Sequence, residues 1–120
     1  MSNVIAIVDT YLAAWNEADA QARTRLVERA WAADGRYVDP MLAAGGHAAI
    51  SEMAAGVHTK FPGHRFRRVS GVDSHNGHLR FAWELVAPDG AITVAGLDVG
   101  ELAADGRLTR ITGFFGELPE

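Results

Sequence analysis

The sequence predicts an α+β fold: three N-terminal helices packed on a strongly curved, mainly antiparallel sheet, together forming a cone with an apolar interior. Three observations predict it. Apolar residues recur at helical spacing through the first half of the chain. Three hairpin turn signals, Asn76-Gly77, Asp89-Gly90 and Asp105-Gly106, divide the second half into strands. Those strands exceed the usual ~5–6 residues, and Gly71, Gly96, Gly100 and Gly113 are suitable places for the bulges that let long strands curve.

Val4, Val8, Tyr11, Leu12 and Trp15 share one face of the first helix. Asn16 to Asp19 breaks that pattern, and Asp19 caps the second helix. Leu26, Val27, Ala30 and Trp31 form its apolar stripe, with Asp34-Gly35 as the stop and Gly35 in the left-handed position. Arg36 to Asp39 is a short extended segment terminated by Pro40. Gly45-Gly46 opens the third helix, with Ile50, Met53, Ala54, Val57 and Phe61 inward and Pro62-Gly63 at its end. Four candidate strands follow as an antiparallel meander: 64–75, 78–87, 91–104 and 107–116.

Composition narrows the function classes. The length of 120 residues suits one domain, 1–120, with one real core. A net charge of −4 argues against nucleic acid, which needs a basic footprint, but leaves small acidic ligands open. The absence of cysteine excludes disulfides, thiolate nucleophiles and zinc–thiolate sites. The segment Met1 to Asp9 has no basic stretch, and Asp9 interrupts its apolar residues, so a signal peptide is not expected. No apolar run is long enough to span a bilayer. The expected setting is the cytoplasm, without a membrane partner.

Asp98 is the most informative residue. It lies in Ile92-Thr93-Val94-Ala95-Gly96-Leu97-Asp98-Val99, a run that otherwise reads as a buried strand. A carboxylate there must be paired, hydrogen-bonded or protonated, and perturbed carboxylates in clefts are candidates for function. Parity groups Asp98 with Ile92, Val94, Gly96 and Leu102 on the inward face. The other face carries Thr93, Ala95, Leu97, Val99 and Glu101, so neither face is cleanly polar, which suggests a bulge or a second buried surface such as a dimer interface. An outward, solvated Asp98 is the alternative. In the neighbouring strand Phe81 and Trp83 alternate with Arg80 and Glu84, which gives a clearer inward face.

The order helix, helix, short strand ending in Asp-Pro, helix, meander resembles the nuclear transport factor 2-like superfamily, which includes ketosteroid isomerase and the SnoaL-like polyketide cyclases. The resemblance covers nearly the whole chain. Its best local match is Asp98-Val99-Gly100-Glu101-Leu102-Ala103-Ala104-Asp105-Gly106-Arg107-Leu108, similar to the last hairpin of the isomerase. Tyr11 to Asp19 is similar to its first helix, and Tyr37-Val38-Asp39-Pro40 to its Asp-Pro segment. The resemblance implies three roles. Asp39 is the general base, Tyr11 donates to the oxyanion, and a protonated Asp98 is the second donor. It also implies a homodimer. Two departures matter. The tyrosines that support the isomerase's catalytic tyrosine align here with Trp31 and Ala54, and the segment from Asp19 to Asp39 is four residues longer than its counterpart. Steroid isomerisation in particular is therefore not implied.

Each residue also has a structural reading. Asp39 is a turn aspartate before Pro40, and Tyr11 is a core tyrosine with its hydroxyl at the cavity edge. Trp15, Met53, Val57, Phe81, Trp83 and Phe114 are the candidate lining of a pocket for a small apolar molecule, with ordinary core as the alternative. His75 and His78 flank a turn with only Asp73 nearby, so no metal is expected. His58 is either a second acid/base group or an exposed helix-edge residue. His64 to Arg68 is the one basic cluster and reads as a solvated strand face. No cofactor motif is present. The leading expectation is a cofactor-independent enzyme performing proton transfer, as in isomerisation or aldol-type cyclisation, on an apolar carbonyl compound. The alternatives are a non-catalytic ligand-binding or dimerisation domain, and epoxide hydrolase-like water addition.

Overall fold

The computed structural model describes residues 3–120; Met1 and Ser2, which begin the segment read for a signal peptide, lie outside the described residues. Helix α1 (Val4–Asn16) starts at Asn3, whose side chain accepts from the Ala6 amide, and buries Val8, Tyr11, Leu12, Ala14 and Trp15. Helix α2 (Ala20–Ala30) is capped by Asp19, which accepts from the Ala22 amide at 2.9 Å. The expected end of this helix was wrong. It stops at Ala30, and Trp31 opens strand β1 (Trp31–Val38). Trp31 pairs with Leu108 of the last strand, so a long-range ladder captures residues that helical periodicity alone assigned to α2. Asp34-Gly35 therefore lies inside a strand, and Gly35 is not left-handed.

Asp39-Pro40 then turns the chain into β2 (Ala43–Gly45), a short strand the sequence did not announce, which pairs antiparallel with β1. Gly46, at φ 85°, leads into α3 (His47–Lys60). The expected single strand from 64 to 75 is two: β3 (Arg65–Arg68) and β4 (Asp73–His75). Both pair with β5 (His78–Val86). Between them the ladder is interrupted, because the Ser70 hydroxyl accepts from the Ala82 amide where a backbone carbonyl would otherwise stand. Strands β6 (Ile92–Leu102) and β7 (Leu108–Phe115) complete the meander. Asn76-Gly77, Gly90 and Gly106 take positive φ at the three hairpin turns, as their sequence signals require.

The sheet runs β2-β1-β7-β6-β5-β3, with β4 also on β5. Only β1 and β7 pair in parallel, so the sheet is mixed and mainly antiparallel. It is an α+β cone of the nuclear transport factor 2-like type, with three helices on a strongly curled sheet. Register shifts fall at Trp31/Arg36, Leu85/Val86 and Glu101/Leu102. They do not fall at Gly96, Gly100 or Gly113, which stay in the ladder. The core joins Val8 and Tyr11 of α1, Val27 of α2 and Ile50 of α3 to Trp31, Phe81, Leu108 and Ile111 of the sheet. Among the described residues no helix is long and apolar enough to cross a membrane.

Candidate active site

An apolar-walled cavity of about 330 Å³ has Asp39 in its lining, and a second carboxylate, Asp98 of β6, lies close to Asp39 on the other side of Gly113. That volume is at the lower end of the ~300–1,000 Å³ typical of small-molecule sites. Trp15 closes it from α1, and Met53, Val57, Lys60 and Phe61 from α3. Phe66, Trp83, Leu85, Val94 and Phe115 cover the sheet side, and Tyr37 of β1 with Asp39, Met41 and Leu42 just after it the remaining wall. Asp39 and Lys60 are the two charged side chains in this lining.

Asp98 faces inward from β6 and is 2% exposed. The Tyr11 hydroxyl donates to its Oδ2 at 2.7 Å, and the Trp83 indole donates to its Oδ1 at 2.9 Å. Both carboxylate oxygens are thus satisfied from residues that themselves lie in the core. Burial dominates the acidity of Asp98 and pushes its pKa up to about 6; the bonds from Tyr11 and Trp83 oppose this, and the nearby Asp39 adds to it. Gly96 makes the Trp83 bond possible. A β-carbon there would collide with the indole ring that lies across it and with the Phe114 carbonyl.

Asp39 is half-buried at the end of β1. Its Oδ1 accepts from the Met41 and Leu42 amides, each at 2.8 Å, and its Oδ2 accepts from the Tyr37 hydroxyl at 2.6 Å. The turn reading of this residue therefore holds as geometry. Asp39 ties the Asp-Pro turn, and it also lines the cavity. Tyr37 is buried, and burial followed by the neighbouring Asp98 and Asp39 charges pushes its phenol well above the ordinary value. Tyr37 therefore remains a neutral donor at any working pH.

Gly113 joins the two halves. It pairs with Asp98 in the β6–β7 ladder. A β-carbon built on it would lie 3.0 Å from Asp98 Oδ1, 3.1 Å from the Tyr37 hydroxyl and 3.2 Å from the Asp39 β-carbon. One small space, left by one absent side chain, is thus bordered by both acids and the phenol.

Tyr11 and Asp98 meet directly, and Asp39 stands across the Gly113 space from Asp98. Tyr11 is fully buried behind Asp98 and outside the cavity lining; burial and the Asp98 charge raise its pKa well above the ordinary phenol value. Trp15, Met53, Val57 and Trp83 line the cavity. Phe81 does not. It is 1% exposed and packs edge-on against Tyr11 at 6.1 Å, behind the lining. Phe114, expected in the lining, is not in it either. It points outward and is 54% exposed, while Phe115 faces the cavity because strand parity follows Ile111 and Gly113. Tyr37 was missed. Its signal was the i, i+2 spacing with Asp39, which puts both on one face of an extended segment. His58 is half-buried and bonds the Trp15 carbonyl at 2.8 Å, outside the lining. His75 and His78 are exposed, with ring centres 6.1 Å apart. Among the described residues no group of three or more His, Asp or Glu could hold a metal ion.

A SnoaL-like family protein from Agrobacterium tumefaciens str. C58, provisionally named an isomerase, is similar to this chain at 42% identity, over 94% of this chain and 97% of that one, with a TM-score of 0.89. The chain belongs to the SnoaL-like family. More distant members of the same fold include a protein from Catenulispora acidiphila with a ketosteroid isomerase-like fold, solved with trimethylamine (18% identity, 97% and 88% coverage, TM-score 0.74). A provisionally named polyketide cyclase from Sinorhizobium meliloti also matches (16% identity, 90% and 93% coverage, TM-score 0.70). At those identities they speak for the fold alone. No family model matches the sequence, and no curated protein matches it. One fold can host different chemistries, so the function of this member has to be argued from its own side chains.

Proposed function

We propose that this SnoaL-like protein is a cofactor-independent enzyme that moves a proton on a small apolar carbonyl compound, in an isomerisation or an aldol-type cyclisation. The observation that carries the reading is the pair of carboxylates, Asp39 and Asp98, both next to Gly113, with Asp39 in the wall of a mostly apolar cavity. In this reading Asp39 is the base and removes the proton next to the carbonyl. Asp98, with a pKa near 6, suits a group that gains and loses a proton near neutrality. Tyr11 and Trp83 hold its carboxylate in place.

The test is deuterium exchange. Small cyclic and aryl ketones are incubated with the protein in heavy water, and loss of the α-proton is followed by NMR. Asp39→Asn is expected to slow exchange by about a hundredfold or more. If Asp39→Asn and Asp98→Asn both leave a demonstrated exchange rate unchanged, the assignment is wrong.

One observation favours a second reading, a non-catalytic binding domain for an apolar ligand. Both Asp98 oxygens are already occupied by Tyr11 and Trp83, and Asp98 lies behind the lining rather than in it. Tight ligand binding with no exchange in any ketone would select it.

We also propose a homodimer through the outer sheet face. Leu97 and Phe114 are ladder partners on that face, and with Val99 and Val38 they leave 37–54% of their surface exposed. A contiguous apolar patch of this kind suits an interface. A monomer in sedimentation at micromolar concentration would rule the dimer out.

A further inference from the structure

The geometry points to Tyr37, rather than Tyr11, as the residue that donates to the substrate's oxygen, in the same hydrogen-bond exchange that lets Asp39 Oδ2 take up the proton. The inference rests on the enolate chemistry proposed above and deepens it. The two tyrosines of the chain are placed very differently. Tyr11 is fully buried, spends its hydroxyl on Asp98 Oδ2 and does not line the cavity. Tyr37 lines the cavity, and its hydroxyl borders the Gly113 space between the two acids.

The two oxygens of Asp39 are also unequal. Oδ1 holds two backbone amides of the Asp-Pro turn, and releasing it would break that turn. Oδ2 has one partner, the Tyr37 hydroxyl at 2.6 Å, and is the oxygen left to take a proton. When it does so, the carbon–hydrogen pair becomes the new carbon–carbon π bond, and the carbonyl π pair moves onto the substrate's oxygen. The negative charge has left Asp39 Oδ2 and now sits two bonds from the carbon that lost the proton. Tyr37 loses its charged acceptor and finds another within the swing of one hydroxyl. No proton leaves Tyr37. Its O–H only changes partner, and Asp39 later returns the proton to carbon. This bond forms as charge develops on the substrate, so it stabilises the transition state more than the ground state.

The test uses 2-naphthol, whose naphtholate imitates an enolate in charge and shape. Asp39→Asn reproduces the neutral base that exists once the proton has been taken, so it is the background for binding. In that background Tyr37→Phe is expected to weaken 2-naphthol binding by about tenfold to a hundredfold, the range for one hydrogen bond to a charged acceptor. Tyr11→Phe is expected to change it less. Tyr37→Phe keeps the ring that packs 5.2 Å from Trp15, and thermal melts check that it folds. A second measurement needs no folding of a variant in the binding assay. With 13Cζ-labelled tyrosine the chain shows 2 tyrosine signals, and 2-naphthol is expected to move the Tyr37 signal further than that of Tyr11. Unchanged binding in Tyr37→Phe, or the larger loss and the larger shift at Tyr11, overturns the assignment and leaves the enolate site standing. No binding of 2-naphthol by any of the proteins overturns both.

Discussion

Replacing Asp98 by Asn is expected to stabilise the protein at neutral pH. The carboxylate is 2% exposed, and burial lifts its pKa from 3.8 to about 6 in spite of two donated hydrogen bonds. The folded state therefore binds this proton more tightly than the unfolded chain does. The stability linked to it is fully present below about pH 4, falls as the pH rises through about 6, and is lost above that. At ~1.4 kcal/mol for each tenfold difference in proton affinity, the whole change is about 3 kcal/mol. An amide at this position carries no charge, and it can accept from the Trp83 indole while donating to the Tyr11 hydroxyl oxygen. Wild type and Asp98→Asn should thus be nearly equal in stability at about pH 4, with the variant ahead by about 3 kcal/mol at about pH 7.5. Urea unfolding of both proteins across this range measures the difference, and taking the difference cancels the other carboxylates. A gap that stays constant with pH would mean that Asp98 titrates like a solvated acid, and the burial argument would fail.

Tyr11→Phe removes one of the two donors to the buried Asp98 carboxylate. It should cost about 1–3 kcal/mol at neutral pH and less near pH 4, where the carboxyl is protonated; unfolding curves at the two pH values check this. Gly113→Ala fills the space between the acids, with its β-carbon 3.0–3.2 Å from Asp98 Oδ1, the Tyr37 hydroxyl and the Asp39 β-carbon. It should lower ketone exchange at least tenfold while costing no more than about 1–3 kcal/mol of stability, read by NMR exchange and thermal melts on the same sample. Leu97→Asp puts a charge in the middle of the outer apolar patch, so sedimentation should show a monomer, in contrast to the dimer proposed for wild type, with 2-naphthol binding retained. Phe115→Ala opens the cavity wall, and Phe114→Ala does not touch it. The first should weaken 2-naphthol binding and the second should leave it unchanged.

Local signals sufficed for much of this chain. Helical spacing found α1 and α3, Asp19 announced its own cap, and the three Asn-Gly or Asp-Gly pairs located the hairpins. These features depend on residues within a turn or two of each other, and sequence displays such neighbours directly. A charged residue in an apolar run marked Asp98 for the same reason. Errors occurred where a distant partner outweighed local preference. Trp31 joined β7 instead of prolonging α2, and one expected strand became β3 and β4 on the edge of β5. Phe114 and Phe115 differ only by parity, and the register of β7 against β6 assigned them to opposite faces.

The site divides in the same way. The sequence alone determined which carboxylates are candidates, because Asp98 in a buried strand and Asp39 before Pro40 are conspicuous wherever the strands lie. Only the tertiary structure decided what each one touches. It set Tyr11 behind Asp98, brought Tyr37 to Asp39 Oδ2, and left the absent side chain of Gly113 as the space between two acids 59 residues apart in the chain. Hydrogen bonds act over about 3 Å, and no spacing along a sequence specifies which strands will bring their atoms that close.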